Sequence, residues 1–166
     1  MRSIVKRMLE PGISYRRYVL SAYPLAMLPS MLLGALAYGV VNALGVKSEY
    51  IAAPGREVNA GEVLGVVVFA PVVETLLLAV LLWFLSLLSR NLVFVAAISA
   101  LLWAGLHATF GALWFFGTVW GFFVYSCAYL AWRNTSFVRA YFAAAFPHLL
   151  INLTAMLAVW GIENAA

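Results

Sequence analysis

Long apolar runs, broken by short clusters of charge and turn residues, divide this chain. The first runs from Tyr18 to Val46 and is interrupted by Pro24 and Pro29. A second extends from about Ala60 to Leu88 and stops at Ser89-Arg90-Asn91. As one helix it measures about 43 Å against a hydrocarbon layer of about 30 Å, so it must tilt or bend, and Pro71 is the obvious bend. Leu92 to Trp132 carries no charged residue. A single helix of that length would be about 60 Å long, so the run must reverse once. The segment from His107 to Gly111 is the best place, which predicts spans near 92–108 and 112–132. Arg133 to Arg139 makes a short polar connection, with Asn134 or Thr135 as the N-cap of a fifth span over about Ala140 to Trp160. Uninterrupted runs of this length predict an all-α fold: an integral membrane helical bundle of about five transmembrane helices.

The flanks orient the bundle. Residues 1–17 hold Arg2, Lys6, Arg7, Arg16 and Arg17, with Ile4, Val5, Met8 and Leu9 at helical spacing ahead of Pro11-Gly12. This pattern predicts a basic interfacial segment lying on the membrane surface, followed by one transmembrane domain over 18–166. Ala35-Leu36-Ala37 resembles a signal-peptide cleavage site, but the apolar run continues past it and the basic stretch before it is long, so the expectation is an uncleaved span. Lys47 to Asn59 is the one long polar loop, with Pro54-Gly55 as its turn, and Asn59 with Glu62 reads as a capping-box helix start. With five spans, the N-terminal segment, the Arg90 turn and the Arg133–Arg139 turn share one side. Eight of the basic residues lie there, against Lys47 and Arg56 on the other. The positive-inside rule then makes the N-terminus cytoplasmic and the C-terminus external, in a multi-pass protein of the plasma or inner membrane. Gly61-x-x-x-Gly65 and Gly117-x-x-x-Gly121 allow close helix approach.

Composition agrees and removes several chemistries. Of 166 residues 66% are hydrophobic and 10% charged, where soluble domains run nearer half and a quarter. The net charge of +4 is not a nucleic-acid footprint, because half of the basic residues fall in the first 17 positions, where orientation signals and contacts to anionic membrane lipid belong. The single cysteine, Cys127, forms no internal disulfide or thiolate cluster and reads as a small buried hydrophobe. All six acidic residues are Glu, so an intramembrane aspartate pair is impossible. Neither H-E-x-x-H nor G-x-S-x-G is present.

Four polar residues stand apart from the interfaces: Glu74, His107, His148 and Asn152. Glu74 lies about 21 Å along its helix, where a charged carboxylate costs at least about 2.5 kcal/mol unless it is paired, protonated or facing a wet cavity. Glu74 lies 16 residues before Arg90 and His107 lies 17 after it. In an antiparallel pair both stand at nearly one height, about 24–26 Å from the turn. His148 is about 20 Å up the last helix and Asn152 is one turn beyond on the same face. Three segments thus deliver four polar groups to one layer, in the outer half of the bilayer by the charge count. Pro71 and Pro147, each close before one of these groups, open the backbone ladder beside them. Taken singly, each group also reads as a buried hydrogen-bonded staple. The aromatic run from Trp114 to Trp132 wraps round its helix and reads as lipid contact and interfacial anchoring.

Peptide hydrolysis needs an activated water, a proton shuttle and a stabilised oxyanion. Glu74 suits the general base, His107 the group that orients the water, and His148 with Asn152 the oxyanion donors. Glu74, His107 and His148 also form a zinc-ligand set with water in the fourth position. The metal-free reading is favoured, because Asn152 is a poor zinc ligand and a good hydrogen-bond donor. Two other readings use the same residues: a proton- or ion-coupled transport component, and a non-catalytic partner or assembly factor of another membrane protein.

The order of these residues resembles the CPBP (CAAX protease and bacteriocin-processing) intramembrane proteases. That family carries E-E-x-x-x-R, then F-x-x-x-H, then H-x-x-x-N or H-x-x-x-D. Here the corresponding stretches are Ala70-Pro71-Val72-Val73-Glu74-Thr75, Trp103-Ala104-Gly105-Leu106-His107 and His148-Leu149-Leu150-Ile151-Asn152, within about 61–157. Thr75 stands where the second Glu is expected, Ala79 where Arg is expected, and Trp103 in place of Phe. The resemblance implies an endopeptidase acting on a membrane-associated protein or peptide, with Glu74, His107, His148 and Asn152 as its catalytic groups.

Overall fold

The computed structural model describes residues 4–10, 12–46 and 59–164. Every regular element among them is helical: α1 (Ile4–Leu9), α2 (Tyr15–Ala43), α3 (Ala60–Val63), a π-helical stretch (Leu64–Phe69), α4 (Ala70–Leu88), α5 (Leu92–Ala108), α6 (Leu113–Trp132) and α7 (Phe137–Glu163). The segment Ala60–Leu88 runs on without a break, and it, α2, α6 and α7 are long and apolar enough to cross a membrane. Helix α5 is apolar and shorter, at 17 residues. The chain is therefore an all-α membrane bundle. The polar loop expected over 47–58 lies outside the described residues.

Helix ends follow local chemistry. The Asn59 side chain accepts from the Glu62 amide at 2.9 Å, and Asn91 accepts from Val93 and Phe94 at 3.1 and 3.2 Å. Both are N-caps that satisfy amides with no partner inside the helix. The last helix starts three residues earlier than the apolar pattern implied. Its cap is Ser136, whose hydroxyl accepts from Arg139, and not Asn134 or Thr135. The uncharged reversal falls where length demanded it, between Ala108 and Leu113.

Helix α6 is the centre of the bundle: Phe122, Val124, Tyr125, Cys127, Ala128 and Leu130 are all buried. Its buried hydroxyl Ser126 bonds Ser99 of α5 at 3.1 Å, and Arg133 at its end bonds Ser86 of α4 at 2.7 Å. The N-terminus of α2 joins the same end, with Tyr15 bonded to the Arg139 carbonyl and packed edge-on to Trp132. Met8 of α1 is buried there, and its carbonyl accepts from Tyr18. Gly117 admits α2 closely, since a Cβ on Gly34 would lie 3.6 Å from the Gly117 Cα. The Gly61–Gly65 pair makes no such approach among the described residues: a Cβ built on Gly65 would meet nothing within 4 Å, and one on Gly61 only the capping Asn59 side chain.

The prolines within α2 do not interrupt it. Pro29 has no N–H to offer the Leu25 carbonyl four residues back. That carbonyl instead accepts from the Trp120 indole at 2.8 Å, tying α2 to α6. Trp120→Phe is therefore expected to lower unfolding stability by about 1–3 kcal/mol by orphaning the carbonyl. In a Pro29→Ala background, where residue 29 regains its N–H, the same change should cost less. A double-mutant cycle on thermal or denaturant unfolding measures the difference.

Candidate functional site

Ahead of Pro71 the backbone leaves α-helical spacing. The Ala70 amide bonds the Gly65 carbonyl, five residues back, and not Val66. The residue five after Val66 is Pro71, which has no N–H. The Val66 carbonyl is thus left without a partner in its own helix. Asn152 of α7 fills the gap, donating from Nδ2 at 2.8 Å. The bend expected at Pro71 takes this form: a π-helical stretch that presents a carbonyl sideways.

Past the proline, Glu74 points into the bundle beside His107 from the end of α5 and His148 from α7. Glu74 Oε2 lies 3.7 Å from His107 Nε2 and 3.6 Å from His148 Nε2. Both distances lie just beyond direct hydrogen-bond range. His107 is oriented by Nδ1, which donates to the Trp103 carbonyl at 2.9 Å. The neutral ring then presents an acceptor at Nε2, opposite an acceptor oxygen of Glu74. Glu74 Oε2 is itself buried without a hydrogen-bond partner, while the side chain as a whole is 23% exposed.

Glu74, His107, His148 and Asn152 line one cavity of about 550 Å³. All four residues singled out from the sequence are thus brought together by three elements. Asn152 joins them with one of its two N–H donors already committed to Val66. Thr75 and Ala79, the positions that depart from the CPBP pattern, are buried in the packed interior and do not line the cavity. Trp103 orients His107 through its backbone carbonyl, so that contact does not depend on which side chain stands at position 103.

The aromatic run of α6 corrects the expectation of lipid contact. Tyr125 stacks on His148 with ring centroids 4.8 Å apart, and Phe122 packs against both imidazoles, at 5.0 Å from His107 and 5.4 Å from His148. Trp114 stacks on His107 at 6.2 Å. These rings hold the imidazoles in place and form the cavity wall. The spacing carries a signal for this: Trp114, Thr118, Gly121 and Tyr125 recur at three to four residues along one face, and the small residues among them leave the room. Ser30 of α2 is also on this wall, and no pattern in the sequence marks it.

Among the described residues, no three His, Cys, Asp or Glu side chains are arranged to hold a metal ion. No family model, curated protein or solved structure matches the chain.

Proposed function

We propose that the chain is an intramembrane endopeptidase, similar to the CPBP proteases, that hydrolyses a peptide bond of a membrane-associated protein or peptide. The observation that carries this reading is the meeting of Glu74 with both imidazoles at 3.6–3.7 Å inside a cavity. Glu74 takes a proton from water held against His107 while the oxygen attacks the scissile carbonyl. The second N–H of Asn152 and the His148 ring face the developing oxyanion. The tetrahedral adduct collapses as the C–N bond breaks, and the proton held by Glu74 passes to the leaving amine. The burial of Thr75 and Ala79 outside the cavity supports the reading, since these departures leave the water-binding groups untouched. The test is turnover in proteoliposomes loaded with a library of membrane-inserted peptides, read as new peptide termini by mass spectrometry. Termini should appear with the wild-type protein and not with Glu74→Gln.

The same reading places the protein in the cell membrane with its basic end in the cytoplasm. Arg133, Arg139 and the start of α2 share one end of the bundle, and the last turn of α7 points to the other. In a Cys127→Ala background, a membrane-impermeant thiol reagent applied outside intact cells should label Asn164→Cys and spare Ser3→Cys. Labelling of both from one side would overturn the odd number of spans.

A further inference from the structure

Several serines and threonines in these helices bond back to their own backbone, and the buried Ser99 and Ser126 bond one another. Ser21 donates to the Tyr18 carbonyl, Ser86 to Leu82, Thr118 to Trp114 and Thr154 to Leu150, at 2.6–2.8 Å. This is the ordinary way to satisfy a hydroxyl inside a membrane helix. Ser30 does otherwise. Its residue is 6% exposed, its Oγ is buried without a hydrogen-bond partner, and it lines the cavity that holds Glu74. A buried hydroxyl left unpaired is destabilising, so its persistence needs a reason outside packing.

A second feature lies beside it. A Cβ built on Gly121 would stand 3.4 Å from the Tyr125 hydroxyl and 3.5 Å from Ser30 Oγ. The two hydroxyls, from α6 and α2, therefore border the same gap, and only glycine leaves that gap open. The Tyr125 ring is the one stacked on His148, so the gap adjoins the candidate reaction centre. Glu74, His107, His148 and Asn152 supply the chemistry, and none of that chemistry uses the two hydroxyls.

We propose that Ser30 and Tyr125 form a hydroxyl subsite that donates hydrogen bonds to a backbone carbonyl of the peptide substrate and fixes it beside Glu74. The inference rests on the endopeptidase reading for the identity of the ligand. An extended peptide in an apolar layer brings carbonyls that need donors, and an unpaired hydroxyl on the wall meets that need. Ser30 and Tyr125 are positioning residues here: they hold the substrate and leave the proton transfers to others.

The experiment uses the full chain in nanodiscs with Glu74→Gln to prevent hydrolysis, and a fluorescein-labelled, amide-capped octapeptide of mixed leucine, valine and alanine as the probe. Ser30→Ala should weaken binding about 5–10-fold, the range of one lost hydrogen bond. Ser30→Thr, which keeps the hydroxyl, should bind as the parent does. Ser30→Ala should leave the melting temperature equal or higher, because it removes an orphaned polar atom, whereas loss of a structural hydroxyl would lower it. Replacing the peptide amides one at a time by esters weakens one carbonyl acceptor at each step. At one position the ester should reduce affinity for the parent by a similar factor and leave Ser30→Ala unaffected. Gly121→Ala, whose methyl fills the gap, should also weaken binding. Unchanged affinity in Ser30→Ala, no ester position that separates the two proteins, or no binding of the peptide by the parent would overturn the subsite. Cleavage that depends on Glu74 with KM unmoved by Ser30→Ala would remove the subsite and keep the endopeptidase. Ser30-dependent binding without any cleavage would do the reverse.

Discussion

Glu74→Gln is expected to reduce peptide turnover by a factor on the order of 10²–10⁴, the contribution of a positioned general base. The amide keeps the shape of the carboxyl group and much of its hydrogen bonding, but it cannot accept the proton of the attacking water. The fold should not suffer. Glu74 Oε2 is buried without a hydrogen-bond partner between two imidazoles, and an intramembrane carboxylate kept for function is usually a stability liability. The melting temperature of Glu74→Gln should thus equal or exceed that of the wild-type protein. Both quantities are read on the same reconstituted sample, turnover by mass spectrometry and melting by tryptophan fluorescence. A drop in melting temperature with unchanged cleavage per folded molecule would make Glu74 a structural staple. The chain would then be read as a partner of another membrane protein. Proton flux into liposomes, abolished by the same substitution and without new peptide termini, would make it a transport component.

Asn152→Ala should act on rate and stability together. Loss of one oxyanion donor lowers turnover on the order of 10²–10³. The same side chain also satisfies the Val66 carbonyl at 2.8 Å, which neither Ala70 nor Pro71 can do. Orphaning that carbonyl should cost about 1–3 kcal/mol of unfolding stability. The two effects are separable. Asn152→Gln retains the amide one methylene further out, and Asn152→Asp, when ionised, retains the size and loses the donors. If Asn152→Ala melts early but cleaves at the wild-type rate per folded molecule, Asn152 only braces the π-helical stretch. Its place in oxyanion stabilisation would then be withdrawn.

The bundle is legible in the sequence because the bilayer makes a blunt demand. An uncharged run of about 60 Å must reverse once, and the reversal falls between Ala108 and Leu113 as length alone requires. Height along a helix also survives translation from sequence to space, so the level of Glu74 and His107 can be counted from Arg90 and that of His148 from the start of the last helix. Facing is harder to read. The hydrophobic pattern of α6 is nearly uniform round its axis, so only the small residues Thr118 and Gly121, spaced with Trp114 and Tyr125, mark the face against His148. Ser30 is hidden for a different reason: a lone serine between two apolar stretches looks like any other back-bonded helical hydroxyl. Only the absence of any hydrogen-bond partner in the packed bundle sets it apart, and this is a property of rotamer and neighbours. The partnership of Asn152 with Val66 is equally out of reach, because it depends on a local change of backbone hydrogen bonding.

That change has a consequence for descent as well as for chemistry. A π-helical stretch closes each hydrogen bond over one more residue than an α-helix does, so Leu64–Phe69 behaves like a single residue accommodated inside a continuous helix. In α-helical terms one residue is about 100° of rotation. The faces of Ala60–Val63 and of Ala70–Leu88 therefore cannot be drawn on a common wheel, although the helix between them never breaks. A relative one residue shorter in this stretch could retain Glu74 opposite its imidazoles while the end at Asn59 turned to meet different neighbours. Length variation at this point would redirect the approach to the cavity from this end and leave the polar centre intact, giving evolution a place to change what enters without changing what awaits it.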